Sequence, residues 1–360
     1  MNINDLPNDW VLTKLSEISN MKSGMTITSK DISVSDKYPC YGGNGLRGFT
    51  HGFTHNGTFA LIGRQGALCG NVQLVSDKFF ASEHAIVVTP QKSIDIKWLY
   101  HVLIDMNLNQ YSESSAQPGL SVIKILNLPV RLPTKSEQTA IATALSDTDA
   151  LIENLEKLIA KKRNIKQGVM QELLTGKMRL AGFRNKWVKI NLSDICDIRK
   201  GQLITEKTAI GGEFPVIAGG IKPSYFHNRP NRGENTITIS ASGANAGYVS
   251  FHKKPIFASD CSTIEDEGTF NINYLFFVLQ LAQQQIFKLQ TGGAQPHVYP
   301  EHLKPLELLF PQEVSEQDAI AKILTDIDEE LFGLEAQMNK YSLIKQGMMQ
   351  ALLTGKIRLV

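Results

Sequence analysis

No apolar run in the 360-residue sequence approaches the roughly 18–20 residues that a membrane-spanning helix needs. Its first ten residues, MNINDLPNDW, are polar and acidic, which excludes a signal peptide there. Cysteine is scarce: Cys40, Cys69, Cys196 and Cys261 are far apart and form no CxxC, so neither a disulfide scaffold nor a zinc ribbon is encoded. Buried thiols in a reducing cytoplasm are the expectation. Net charge is only +2, which neither requires nor excludes nucleic acid, because one face can be basic while the whole is balanced.

Catalytic signatures are missing too. There is no Walker A segment and no Pro-Pro, which excludes a P-loop nucleotidase and the usual amino-methyltransferase loop. The glycines of CYGGNGLRG (40–48) do not stand between a strand and a helix, as a dinucleotide fingerprint requires. His51 and His55 sit among Gly, Phe and Thr rather than on a helix, a poor setting for a zinc pair. Asp77 with Asp95 and Lys97 only loosely imitates a nuclease cluster, and Lys97 opens an ordinary helix.

What the chain has is repetition. KQGVMQELLTGKMRL (166–180) returns as KQGMMQALLTGKIRL (345–359), identical at twelve of fifteen positions. At an offset of 179 the match extends back to Ser136-Glu137-Gln138 against Ser315-Glu316-Gln317, about 45 residues without a gap. Fainter echoes precede it at offsets of 176–178: WVLTKLSEI (10–18) with WVKINLSDI (187–195), Lys22-Ser23-Gly24 with Arg199-Lys200-Gly201, GRQGALCGNV (63–72) with SASGANAGYV (240–249). A period this long means a duplicated domain pair rather than a solenoid. The expected segments are a block at 1–134, a helix at 135–180, a second block at 181–312 and a second helix at 313–360.

The repeated segment carries apolar or large residues at alternating steps of four and three: Ile320, Leu324, Ile327, Leu331, Leu334, Met338 and Tyr341, matched by Ile141, Leu145, Thr148, Ile152, Leu155 and Ile159. Ser136 and Ser315 suit the N-cap, each with a Glu behind it, and Gly176 and Gly355 suit the stop. A helix of about 39 residues spans ~58 Å and needs a packing partner, which the second copy supplies. Gly168 and Gly347 allow a bend. The blocks mix strand-like runs (59–63, 85–89, 236–240, 255–259) with helix-like ones (96–106, 272–287). The fold expected is α+β: two mixed α/β domains related by a pseudo-two-fold and joined by two long antiparallel coiled-coil helices.

A duplicated enzyme should keep its reactive residues in both halves. Here the helices are kept and the blocks have drifted: Glu83-His84 faces Asp260-Cys261, and Arg64-Gln65 faces Ala241-Ser242. That pattern suits two binding modules on one frame. An adaptor binding proteins is the rival reading, and a self-sufficient enzyme the least favoured.

The SEQ(T/D)AI opening, the KQG(V/M)MQ(E/A)LLTGK(M/I)RL close and the W-x4-L-x2-I entrance of each block closely resemble the specificity subunit of type I restriction–modification systems. The order block–helix–block–helix covers essentially the whole sequence. The resemblance implies that each block is a target-recognition domain reading half of a bipartite DNA site. It implies that the helices set the spacing and dock two methylation subunits. The resemblance also implies that the subunit itself is non-catalytic, and that S-adenosylmethionine, ATP and Mg belong to the partners, which methylate adenine at N6 and, through restriction subunits, cleave DNA.

Residue chemistry then nominates contacts to double-stranded DNA, with Arg or Lys for guanine and phosphate and Asn or Gln for adenine. In the first block these are Lys22, Arg47, Arg64, Gln65 and Gln117. In the second they are Arg199, Lys200, Lys222, Arg229, Arg232, Ser242, Asn245, Lys253, Lys254, Gln295 and His297. Gln167, Met170, Leu174, Gln346, Met349 and Leu353 are expected to meet the methylation subunits, the alternative being that the Met and Leu pack the base of each block.

Overall fold

The computed structural model describes residues 6–66, 68–113 and 118–359. It divides into two compact units. One holds the chain up to Glu156 together with everything from Ala336 onward; the other is Lys157–Glu335.

In the first unit, a four-stranded antiparallel sheet has the order Ser19–Ser23, Ala85–Pro90, Phe59–Gly63, Val72–Val75. A second has the order Gly45–Thr50, Tyr38–Gly42, Lys78–Ala81, His55–Asn56, with Tyr38–Gly42 and Lys78–Ala81 parallel. The entrance strand Val11–Lys14 pairs with Pro129–Leu132, the last strand of the block. The second unit repeats the pattern. Its sheets run Arg199–Lys200, Cys261–Ile264, Thr236–Ser240, Val249–His252 and Tyr225–His227, Phe214–Ile217, Phe257–Ala258, and Val188–Asn191 pairs with Glu307–Phe310.

Phe59–Gly63 and Thr236–Ser240 coincide with the strands expected from their β-branched and aromatic content. The expected helix at 272–287 is instead two, Ile272–Leu281 and Gln283–Phe287. The break has a cause: the Gln283 amide turns to the adjacent strand, accepting from Val249 N at 3.0 Å and donating to Gly247 O at 2.8 Å. Asp95, the carboxylate of the loose nuclease imitation, caps the helix Ile96–Asp105 by accepting from the amides of Lys97 and Trp98; Asn271 does the same for Tyr274 in the second unit. His55 stacks on Phe79, with ring centroids 5.3 Å apart, and serves packing. All four cysteines are buried and free, and burial pushes the Cys196 and Cys261 thiols up to about 12.

The long helices are Lys135–Leu173 and Val314–Leu352, each 39 residues. Both begin one residue before the serines expected to cap them, so Ser136 and Ser315 lie in the first turn. Both run through Gly168 and Gly347 without interruption. Gly176 and Gly355 follow the ends with φ of 68° and 76°, the left-handed conformation that a helix stop requires and that glycine adopts without strain. The seam residues Ile141, Leu145, Leu155, Ile159, Ile320, Leu324 and Leu331 are buried.

Within each unit a segment of one long helix runs antiparallel to a segment of the other. In the second unit Arg163 pairs with Glu335 at 2.6 Å, Lys166 with Asp328 at 2.7 Å and Arg179 with Glu316 at 2.7 Å. In the first, Asp149 pairs with Lys345 and Glu137 with Arg358. Lys166–Asp328 and Lys345–Asp149 are one pair written twice, as are Arg179–Glu316 and Arg358–Glu137.

Met170, Leu173 and Leu174 enter the core of the second unit beside Tyr274 and Leu306. Met349, Leu352 and Leu353 enter the core of the first beside Trp98 and Leu103. Each such side chain stabilises its unit by roughly 1.5–3 kcal/mol when removed from water. This corrects the docking role expected of Met170, Leu174, Met349 and Leu353: all four are under 10% exposed and face the fold's own interior. Gln167 and Gln346 are exposed. No helix among the described residues is long and apolar enough to cross a membrane.

Candidate nucleic-acid interface

Three loops meet in the first unit, following the strands Tyr38–Gly42, Phe59–Gly63 and Lys78–Ala81. Arg64 N donates to His84 O at 2.9 Å, and Ser82 N to Tyr41 O at 2.8 Å. A fourth segment closes on them: Gly66 N donates to Pro118 O at 3.1 Å and Leu120 N to Arg64 O at 2.9 Å. A Cβ on Gly43 would lie 2.9 Å from Gln65 O, so the turn packs only as glycine. The loops enclose a cleft of about 320 Å³ lined by Gly43, Asn44, Arg47, Gln65, Gly66 and His84. Arg64 itself turns aside and donates to Ser23 Oγ at 3.2 Å, next to the exposed Lys22 on the edge strand. Glu83 accepts from Ile27 N at 3.2 Å and lies 3.2 Å from His84 Nε2.

The second unit builds the same junction from different side chains. Ser240 Oγ donates to Gly219 O at 3.0 Å, Ala241 N to Asp260 O at 3.1 Å, Gly243 N to Pro296 O at 3.0 Å and Val298 N to Ala241 O at 2.9 Å. Ser242 Oγ donates to the carboxylate of Asp260. His297 stacks on Tyr299 at 5.6 Å with the rings nearly parallel, and Lys200 Nζ sits 5.4 Å from the Tyr299 centroid.

The structure therefore gathers Arg47, Arg64 and Gln65 in one unit, and Lys200, Ser242 and His297 in the other. Asn245 is half-buried in the turn behind Ser242, and Gln295 is exposed two residues before His297. Lys222 and Arg229 are exposed on neighbouring loops. Gln117 lies outside the described residues.

Three positions depart from the expectation. Arg232 is a correction: its guanidinium donates to Thr263 Oγ1 at 2.8 Å, Lys200 O at 2.8 Å and Asn231 O at 2.7 Å, and lies 3.6 Å from Glu265. With its side chain 13% exposed and those donors engaged, it braces the edge strand rather than meeting phosphate. Arg199 is exposed but held by Asp197 at 2.8 Å. Lys253 belongs to a separate apolar groove with Phe251, Phe276, Phe277 and Phe332, and Lys254 follows it in the same exposed turn.

The entry-turn glycines also have a packing cause. A Cβ on Gly24 would stand 2.1 Å from Ala81 O, and one on Gly201 2.0 Å from Ser259 O. Sequence reasoning missed His84, Asn44, Tyr299 and Asp260. The drift from Glu83-His84 to Asp260-Cys261 was the signal for two of them.

The family model described as "Type I restriction modification DNA specificity domain" matches residues 7–162 and again 184–341. This chain belongs to the type I restriction–modification DNA specificity family.

The EcoprrI specificity subunit of Escherichia coli is 45% identical over 148 residues, covering 40% of this chain and 37% of that protein. A putative type I specificity subunit of Haemophilus influenzae is 26% identical over 340 residues, covering 86% of this chain and 85% of its own. The crystal structure of the type I S subunit from M. genitalium shares the fold, with a TM-score of 0.79 at 19% identity over 98% of each chain. Each of the two matched specificity domains contains one of the loop junctions described above.

Proposed function

We propose that this specificity protein reads a bipartite DNA sequence, one part through each loop junction, with unspecified base pairs between. The observation carrying this reading is one loop scaffold, built twice by the same hydrogen-bond pattern, that presents Arg47, Gln65 and His84 in one unit and Ser242, Asp260 and His297 in the other. Base readers must differ where half-sites differ, whereas their frame need not.

Lys22, Lys200, Lys222 and Arg229 supply phosphate contacts around the two readers. The long helices hold the readers at a fixed register along the duplex. Two methylation subunits dock on helix surface that recurs in both copies: Gln167 with Gln346, and Ile165 with Ile344, all exposed. Restriction subunits join that cytoplasmic complex. No catalytic step is assigned to this chain; S-adenosylmethionine, ATP and Mg belong to the partner subunits.

The test is duplex binding by the chain with its methylation partner at rising salt. Phosphate contacts release counterions, so 6–10 of them cost about 10³–10⁵ in affinity between 50 and 200 mM salt. Binding with no salt dependence, or none at all, contradicts the proposal and favours a protein adaptor.

A further inference from the structure

We infer that Asp260 is a specificity-determining residue of the second unit: with Ser242 it presents hydrogen-bond acceptors to the exocyclic amino group of a cytosine or adenine. The inference rests on the DNA-reading function proposed above.

The two junctions can be compared position by position. Asp260 stands where His84 stands in the first unit: Gly63 pairs with Ala85 and Ser240 with Cys261, and Arg64 N and Ala241 N donate to His84 O and Asp260 O. Glu83 is one residue more in the same loop. Glu83 is engaged within its own unit by the Ile27 amide and His84. The cleft beside it is faced by donor-bearing groups, the Arg47 guanidinium and the Gln65 amide, which match guanine O6/N7 and adenine N6/N7 respectively. In the second unit Ala241 and Ser242 stand at the positions of Arg64 and Gln65, so the Gln65 amide is replaced by a hydroxyl. Among the described residues the only donor to the Asp260 side chain is the Ser242 hydroxyl. That bond leaves the Ser242 oxygen lone pairs and the second Asp260 oxygen as acceptors.

A carboxylate repels phosphate, so a half-buried Asp at a DNA-facing junction is unsuited to the backbone. It suits a base edge that donates. In the major groove those are cytosine N4 and adenine N6. The two junctions thus differ in hydrogen-bond polarity.

The experiment maps methylated motifs made by the complex of this chain with its methylation partner, for wild type, Asp260→Asn and Ser242→Ala. Expected is a wild-type requirement for cytosine or adenine at one position of one half-site. D260N, which adds a donor, relaxes that requirement by about 10-fold or more and leaves the other half-site unchanged. Which base is lost separates the two amino donors. An unchanged motif overturns the inference, as does relaxation that falls in the other half-site. If D260N is unfolded by circular dichroism, S242A carries the test with the same two readings. A wild-type complex that yields no motif overturns the DNA-reading proposal instead.

Discussion

Arg179 and Glu316 lie 137 residues apart and form a two-point ion pair, Nε to Oε1 at 2.7 Å and Nη2 to Oε2 at 2.9 Å. Trp187 Nε1 donates to the same carboxylate at 3.1 Å, and the guanidinium lies 5.4 Å from the Trp187 ring. Arg358, Glu137 and Trp10 repeat the arrangement in the first unit. The three repeated motifs of the sequence thus meet at one latch per unit: block entrance, helix start and post-helix tail. Both glutamates are 1% exposed, which gives the pairing its weight.

Removing one partner strands a buried charge. Arg179→Ala is expected to destabilise the second unit by about 3–5 kcal/mol, and R179A with Glu316→Gln by clearly less, because the orphan carboxylate is then gone. Denaturant unfolding of the two variants checks this; equal losses contradict it. In the first unit, burial alone raises the Glu137 pKa, but the bonds from Arg358 and Trp10 outweigh it and hold the carboxyl below its usual range. A depressed carboxylate stabilises above its unfolded pKa and loses that contribution as pH falls through the folded one. Acid unfolding in Arg358→Ala should accordingly show a weaker dependence on pH below about 4.5.

This latch marks the boundary of what the sequence made legible. Periodicity alone exposed the two helices and the duplication, since those are local or repeated patterns. It misassigned Met170, Leu174, Met349 and Leu353, because the surface a helical residue faces depends on what packs there. Arg232 was misjudged for the same reason: a basic residue's charge is visible in sequence, while the carbonyls that engage it are not. Trp10, Glu137 and Arg358 are separated by 127 and 221 residues. Only their recurrence as Trp187, Glu316 and Arg179 could have linked them. The loop junctions were legible as matched turns, but not as one meeting point, because sheet topology brings them together.

His101 is fully buried, and neither ring nitrogen has a hydrogen-bond partner. Burial lowers its pKa to about 4, with Asp149 raising and Lys345 lowering it. The unfolded chain, at about 6.5, binds a proton that the folded one refuses. Stability therefore falls as pH drops from about 6.5 toward 4, by about 2 kcal/mol at pH 5. The second unit places Phe277 at this position, with Lys166 5.2 Å from its ring. His101→Phe should narrow the stability gap between pH 7.5 and pH 5 by that amount, read from melting curves at both pH values. An unchanged gap contradicts the assignment.

The first unit is completed by Met349, Leu352, Leu353 and Arg358 from the second copy of the repeat. A fragment ending at Leu180 carries the same elements as Met170, Leu173, Leu174 and Arg179. Two such fragments should complete each other, giving a dimer by light scattering at micromolar concentration. A folded fragment that stays monomeric contradicts the exchange.

The most direct test of the account is the methylated motif of the wild-type complex, mapped genome-wide in cells holding this chain and its methylation partner. The account predicts two unlike specified parts separated by a fixed number of unspecified base pairs. One uninterrupted recognition sequence, or two identical parts, would contradict it.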